Sequence, residues 1–102
     1  MLVIHSTDTT ELTTPDGQPL IEFWKDKTDL PIPKKCPSCG NAMTEPVGAH
    51  VEELINYLDP NKRLYLTPTC KGCNDKYKYG KATSHCFEVD EIYLLDVTDL
   101  YG

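Results

Sequence analysis

Two cysteine pairs carry the clearest chemistry in this sequence. Cys36 and Cys39 form one CxxC turn, Cys70 and Cys73 form a second, and residues 40–69 separate them. A CxxC turn directs two thiolates at one point, and two such turns supply the tetrahedral set of sulfur ligands that Zn²⁺ prefers. We therefore expect one structural zinc ion per chain, bound by Cys36, Cys39, Cys70 and Cys73.

Disulfide or redox chemistry is the alternative use of these thiols. Neither CxxC lies in a βαβ pattern, and two disulfides closing such short loops would stabilise the fold little. No apolar run is long enough to span a bilayer, and the first residues, MLVIHSTD, lack the features of a secretory leader. These features predict a cytoplasmic protein without membrane contact, whose thiols stay reduced. The fifth cysteine, Cys86, is expected to be a core or half-buried residue.

Length and charge limit the remaining possibilities. A chain of 102 residues with 39% hydrophobic and 25% charged residues is typical of one folded domain, here a single zinc-binding domain over residues 1–102. The net charge is −6, yet segment 61–84 holds six bases against one acid, Asp75. These bases either offset the negative charge of a zinc ion bound by four thiolates or contact nucleic-acid phosphates. The acidic remainder predicts weak or no non-specific DNA binding. The candidate nucleic-acid contacts are Lys62, Arg63, Lys71, Lys76, Lys78 and Lys81.

The flanking segments are predicted to be β-structure. Residues 1–5 and 19–24 alternate well enough for two strands, and Pro15-Asp16-Gly17 between them is a turn sequence. They predict an N-terminal β-hairpin within residues 1–33, followed by a connector over 26–33. Residues 85–102 are assigned to C-terminal strands, drawn from the apolar runs 83–88 and 92–97.

The central segment is predicted to hold the metal. Residues 34–42 form the first zinc knuckle, the alternating run 63–69 predicts a strand, and 70–79 predicts a helix whose first turn carries both cysteines. Residues 52–61 fit either a short helix or a loop. A treble clef consists of a knuckle, a β-hairpin and a helix in this order. We therefore expect a small α+β treble-clef zinc finger with an added N-terminal hairpin and C-terminal strands.

The runs CPSCG, GAHV and LYLTPTCKGCN together resemble the zinc-bearing HNH (His-Me finger) endonucleases, a treble-clef group. The resemblance covers residues 34–79. It implies His50 as the general base that activates water, Asn61 as the middle asparagine, and Asn74 beside the last metal-binding position. It also implies a catalytic Mg²⁺ or Mn²⁺ ion, separate from the structural zinc.

The sequence departs from that pattern where the catalytic metal would bind. Ala49 stands where the family often has an acidic or histidine ligand, and Asn74 is a weaker ligand than histidine. His50 then fits a structural histidine as well as a general base, Asn61 a turn residue, and Asn74 a cap.

Three functions follow from these observations. The leading expectation is a zinc-stabilised binding protein, a non-catalytic accessory or regulatory factor of phage or mobile-element type that acts on a protein or nucleoprotein partner. The alternative is a metal-dependent HNH-type DNA endonuclease with His50 as its base. The second alternative is an acidic decoy, whose carboxylates imitate a phosphate backbone for a DNA-binding protein.

Overall fold

A five-stranded antiparallel sheet forms the centre of the protein in a computed structural model that describes residues 1–6, 13–56, 58–77 and 85–100. The strand order across the sheet is β4-β1-β2-β3-β5, so the two longest strands lie next to each other near its middle. The strands are β1 (Leu2–His5), β2 (Pro46–Glu53), β3 (Tyr65–Cys70), β4 (Cys86–Glu88) and β5 (Leu95–Asp96). Two helices, α1 (Leu20–Thr28) and α2 (Lys71–Tyr77), complete the α+β fold. No helix in these ranges is long and apolar enough to cross a membrane.

Helix α1 covers one face of the sheet. Gly48 of β2 lies directly beneath it, because a Cβ atom at this position would come within 2.9 Å of the backbone carbonyl carbon of Leu20. The helix buries Leu20 and Trp24 against Leu66 and Val97. Burial of these apolar side chains is the main force that holds the helix on the sheet.

A second apolar cluster lies on the opposite face. Val3 of β1 pairs in register with Phe87 of β4, and directly opposed residues of antiparallel strands share a face. Ala49, Val51 and Val89 join them in this cluster. Tyr93 and Leu94 of the C-terminal segment pack against this cluster.

The predicted N-terminal β-hairpin is wrong. Residues 19–24, expected as a strand, begin helix α1, which continues through Thr28 into the segment expected to be a connector. Strand β1 pairs instead with β2 and β4. The apolar residues Leu20, Phe23 and Trp24 fit helical spacing as well as alternation, and packing on the sheet decides for the helix. The turn prediction is confirmed, since Gly17 has a φ of 93° and its N–H bonds to the Thr14 carbonyl at 2.9 Å.

The central predictions agree more closely with the structure. The strand predicted at 63–69 is β3, and the helix predicted at 70–79 is α2, although Cys70 ends the strand rather than opening the helix. The ambiguous segment 52–61 extends β2 to Glu53 and then forms a single 3₁₀ turn, Leu54–Asn56.

The C-terminal strands are shorter than expected. Within residues 85–100, only Cys86–Glu88 and Leu95–Asp96 pair with the sheet, and Glu91–Tyr93 between them is a 3₁₀ turn. The remaining residues of the predicted strand at 83–88 lie in part outside the described residues. Cys86, expected in the core or half-buried, is exposed.

Candidate metal centre

The first cysteine pair lies in a tight hairpin turn. The Cys36 N–H donates to the Asn41 carbonyl at 2.8 Å, and the Gly40 N–H returns to the Cys36 carbonyl at 2.8 Å. Gly40 has a φ of 76°, a conformation that residues with a Cβ adopt only at a cost. This glycine lets the chain reverse directly after Cys39, so that both sulfurs point the same way.

The second pair comes from the junction of β3 and α2. Cys70 is the last residue of the strand and Cys73 lies in the first turn of the helix. Strand β3 is hydrogen-bonded to β2, with Cys70 opposite Pro46. This pairing fixes the position of the junction between β3 and α2. The sheet therefore positions Cys70 and Cys73, whereas the hairpin turn positions Cys36 and Cys39.

The four sulfurs lie in the arrangement that a tetrahedral metal ion needs. The Sγ atoms of Cys36, Cys39, Cys70 and Cys73 all lie within 4.8 Å of one another, and those of Cys36 and Cys73 are 3.9 Å apart. A zinc ion with Zn–S bonds of about 2.3 Å requires sulfur–sulfur separations of about 3.8 Å. All five cysteines of the chain are free. The cluster could therefore hold a metal ion such as zinc.

Hydrogen bonds to sulfur prepare the site for thiolates. The Cys70 N–H donates to the Cys36 Sγ at 3.3 Å, and the Thr44 N–H donates to the Cys70 Sγ at 3.3 Å. Without a cation, burial and the neighbouring Cys36 raise the pKa of the Cys73 thiol to about 12. Four thiolates this close together would repel one another, so without a cation the sulfurs tend to keep their protons. A divalent cation replaces those protons and offsets the repulsion.

Ser38, between the first two cysteines, ties the knuckle to the sheet. Its hydroxyl oxygen lies 3.1 Å from His5 Nε2 and 3.0 Å from His85 Nε2. His85 Nε2 also lies 2.8 Å from the Ser38 carbonyl oxygen, which can only accept, so this nitrogen carries a hydrogen. The Ser38 hydroxyl can then donate to His5 Nε2, an arrangement that fits a neutral His5. Burial, with a smaller effect of His85, lowers the pKa of His5 to about 4, in agreement with the neutral form.

Aromatic stacking reinforces this link. The Tyr77 ring of α2 stacks on His85 at 4.3 Å between centroids with planes 8° apart, and on His5 at 5.3 Å. One residue from β1, one from α2 and one from the segment before β4 therefore meet beside the metal centre. The sequence offered no partner for His5, because these residues are far apart in the chain and only the sheet brings them together.

The residues implied by the nuclease resemblance do not meet in one open cleft. His50 in β2 is 5% exposed, and it points to the sheet face opposite His5, because His5 pairs with the adjacent Val51. Burial lowers the pKa of His50 to about 4, below the range that suits a general base at neutral pH. Asn74 in α2 is buried at 6% exposure, whereas Asn61 lies in an exposed turn, where its N–H bonds to the Asp59 carboxylate at 2.8 Å.

Most of the described basic residues of segment 61–84 are paired with acids. Lys62 lies 3.1 Å from Glu52, Arg63 2.9 Å from Asp96, and Lys71 2.7 Å from Asp75. The Lys76 ammonium lies 5.3 Å from the centroid of the Tyr77 ring, a cation–π contact. Lys78 and Lys81 lie outside the described residues. Two bases of the segment are therefore paired with acids from other segments, Glu52 and Asp96, and a third with the segment's own Asp75.

The fold and the site together define a small α+β protein with a four-cysteine cluster suited to a metal ion. Comparison with protein-family models, with curated proteins and with solved structures finds no match to this chain. The likeness to the HNH group therefore rests on short sequence motifs alone.

Proposed function

We propose that this protein is a zinc-stabilised binding protein, a non-catalytic accessory or regulatory factor built on a treble clef. The observation that carries the proposal is the four-sulfur cluster, which joins a knuckle, a β-hairpin and a helix in the order of that fold. Zinc is the metal that best suits four cysteine ligands with no open position. A closed site of this kind supplies stability rather than chemistry.

The target is a protein, or the protein component of a nucleoprotein. The chain carries a net charge of −6, and three of the six candidate phosphate contacts already form ion pairs with acids of the same chain. A phosphate backbone would have to displace those acids, which weakens the electrostatic term on which non-specific DNA binding depends. An acidic surface instead favours partners with a basic face.

The endonuclease remains the second candidate on one observation. The order β2, β3, α2 places His50 in the first strand of a hairpin that leads to the second cysteine pair, as the HNH resemblance requires. In a nuclease His50 would have to contact the substrate. Its burial, at 5% exposure, opposes that contact.

Two assays on the zinc-loaded protein test the proposal. In the first, DNA is incubated with Mg²⁺ or Mn²⁺, and binding is measured over a range of salt concentrations. We expect no cleavage and little salt-dependent binding. Cleavage that is lost in an identically purified His50→Ala variant would refute the proposal and establish the nuclease.

The second assay asks for a partner directly. The zinc-loaded chain is immobilised and proteins retained from cell extract are compared with those retained by a Cys36→Ser variant, with Cys86→Ser as a matched control. We expect a retained protein that needs Cys36 and not Cys86, and whose purified form binds the chain in solution. If no purified protein does so, the binding function is wrong.

A further inference from the structure

The four cysteines of the cluster differ in their exposure to solvent. Cys36 is fully buried and Cys70 is 6% exposed, whereas Cys73 is partly buried. Of the four, only Cys39 is exposed. It is therefore the member of the cluster that a dissolved molecule reaches most easily.

The surroundings of Cys39 leave this side of the cluster open. Gly40 and Asn41, the next two residues, are both exposed, and a Cβ atom at Gly40 would meet nothing within 4 Å. An open depression of about 630 Å³ borders Cys39 and extends to Gly72 of α2, where a Cβ atom would also meet nothing within 4 Å. A small solute can therefore approach Cys39 without displacing any of the described residues.

Accessible thiolates are the cysteines that oxidants attack. A thiol that binds a metal ion is deprotonated, and susceptibility to oxidation follows both thiolate character and exposure. With zinc bound all four cysteines are thiolates, so exposure decides which of them reacts first. The Sγ atoms of the other three lie within 4.8 Å of that of Cys39, so a second thiolate is close at hand. Cys86 is exposed too, but it lies outside the cluster, where no zinc ion holds it as a thiolate.

We propose that Cys39 is the site at which hydroperoxides oxidise this protein, and that this oxidation releases the zinc ion. The inference rests on the zinc of the proposed function and not on its partner. It goes beyond that function because it makes the metal-bound fold sensitive to oxidants.

The reaction has two steps, with hydrogen peroxide as the simplest oxidant. The Cys39 thiolate attacks one peroxide oxygen, the O–O bond breaks and hydroxide leaves, so the sulfur becomes a sulfenic acid. A second thiolate of the cluster attacks the Cys39 sulfur, the S–O bond breaks and another hydroxide leaves, which gives a disulfide. Each thiolate has lost one electron and the peroxide has gained both. Zinc keeps only two of its four sulfur ligands and dissociates.

The experiment adds hydrogen peroxide to the zinc-loaded protein and follows two signals. A chromogenic chelator reports the rate of zinc release. Mass spectrometry of early digests, with dimedone present to trap sulfenic acid, locates the modified cysteine as an adduct or within a disulfide. We expect peroxide to accelerate zinc release at least about tenfold, and we expect the earliest modification within the cluster to include Cys39.

Cys39→His separates oxidation at this residue from oxidation elsewhere in the cluster. Three cysteines and one histidine are an ordinary ligand set for structural zinc, so the variant should still bind the metal, which metal analysis checks. An imidazole offers no thiolate to the oxidant, so peroxide-driven release should slow at least about tenfold. Cys86→Ser is the matched control, because it removes the exposed cysteine outside the cluster and should release zinc at the native rate.

Three results would overturn the inference: zinc release that peroxide does not accelerate, an earliest modification of the cluster that does not include Cys39, or equal release rates from the native protein and zinc-loaded Cys39→His. The digests of the native protein decide the question if the variant fails to fold. Each of these results leaves the zinc-stabilised binding function intact. A native protein in which metal analysis finds no zinc would refute that function and this inference together, before any peroxide is added.

Discussion

At the residue scale, Ser38 has the greatest structural role that the sequence did not reveal. It lies between Cys36 and Cys39 of the cluster, and its hydroxyl oxygen lies within hydrogen-bond distance of two imidazoles that are far apart in the chain, those of His5 and His85. Serine in a CxxC turn is ordinary, and nothing in its spacing indicates a histidine partner. The contact exists only because β1 and the segment before β4 are neighbours in the sheet.

We expect Ser38→Ala to destabilise the zinc-loaded protein by about 1–3 kcal/mol, because it leaves the buried Nε2 of His5 without its partner. His85→Phe should also destabilise it, since the ring can still stack on Tyr77 but has lost its N–H donor. The double variant should lose less than the sum of the two, because both changes break the contact between the Ser38 hydroxyl and His85 Nε2. Denaturant unfolding with zinc in excess measures all three. Additive losses would show that Ser38 and His85 act independently.

His50 should make stability depend on pH. Its pKa is lowered by burial from 6.5 to about 4, so unfolding allows the ring to take up a proton in that range. This contribution to stability is complete above about pH 6.5 and is lost as the pH falls. The loss reaches on the order of 3 kcal/mol below about pH 4. His50→Gln cannot titrate, so its stability should fall by about 2 kcal/mol less than that of the native protein between about pH 7.5 and about pH 5.

The measurement is the free energy of unfolding at both pH values with zinc in excess. Proton competition for the cysteine thiolates also lowers stability in acid, but it affects both proteins alike. The difference between the two pH responses therefore isolates the imidazole. Identical pH responses would contradict the buried, neutral state of His50.

At the element scale, helix α1 depends on the absence of a side chain at one position of the sheet. A Cβ atom at Gly48 would lie 2.9 Å from the Leu20 carbonyl carbon, and a helix backbone cannot yield to it as a flexible side chain would. We expect Gly48→Ala to destabilise the fold by about 1–3 kcal/mol through overpacking. Unfolding by urea measures the loss.

Gly72 is the matched control for that substitution. A Cβ atom there meets nothing within 4 Å, and the residue lies in helix α2. Gly72→Ala should therefore be neutral or stabilise the protein by up to about 1 kcal/mol, because alanine favours the helix. Equal effects of the two substitutions would show that α1 does not lie as close to β2 as the structure places it.

The same helix shows what sequence could and could not predict. The CxxC pairs, the turn at Gly17 and the alternation of β3 depend on local chemistry, and the structure agrees with all three. Residues 19–24 are compatible with both periods, so only the sheet beneath Gly48 decides their conformation. The sequence could not predict the small pocket lined by Pro37, Thr67 and Tyr93 either, because these residues meet only in the folded chain.

At the scale of the whole molecule, the cysteine cluster joins parts of the chain that are far apart in sequence. Cys36 belongs to the knuckle between α1 and β2, whereas Cys73 belongs to the helix after β3. The knuckle also supplies Ser38, whose hydroxyl oxygen lies next to His5 and His85. Loss of the metal should therefore reach well beyond the four sulfurs.

We expect Cys36→Ser, Cys73→Ser or a strong chelator to unfold much of the protein, because metal binding and folding are coupled in small domains of this kind. Cys86→Ser is the matched control, since Cys86 is exposed and lies outside the cluster. Metal analysis should find one zinc ion per chain in the native protein and in Cys86→Ser, and circular dichroism should show a native fold for these two alone. A chelated sample that keeps native dichroism and a cooperative thermal transition would show that the sheet and α1 hold the fold without the metal.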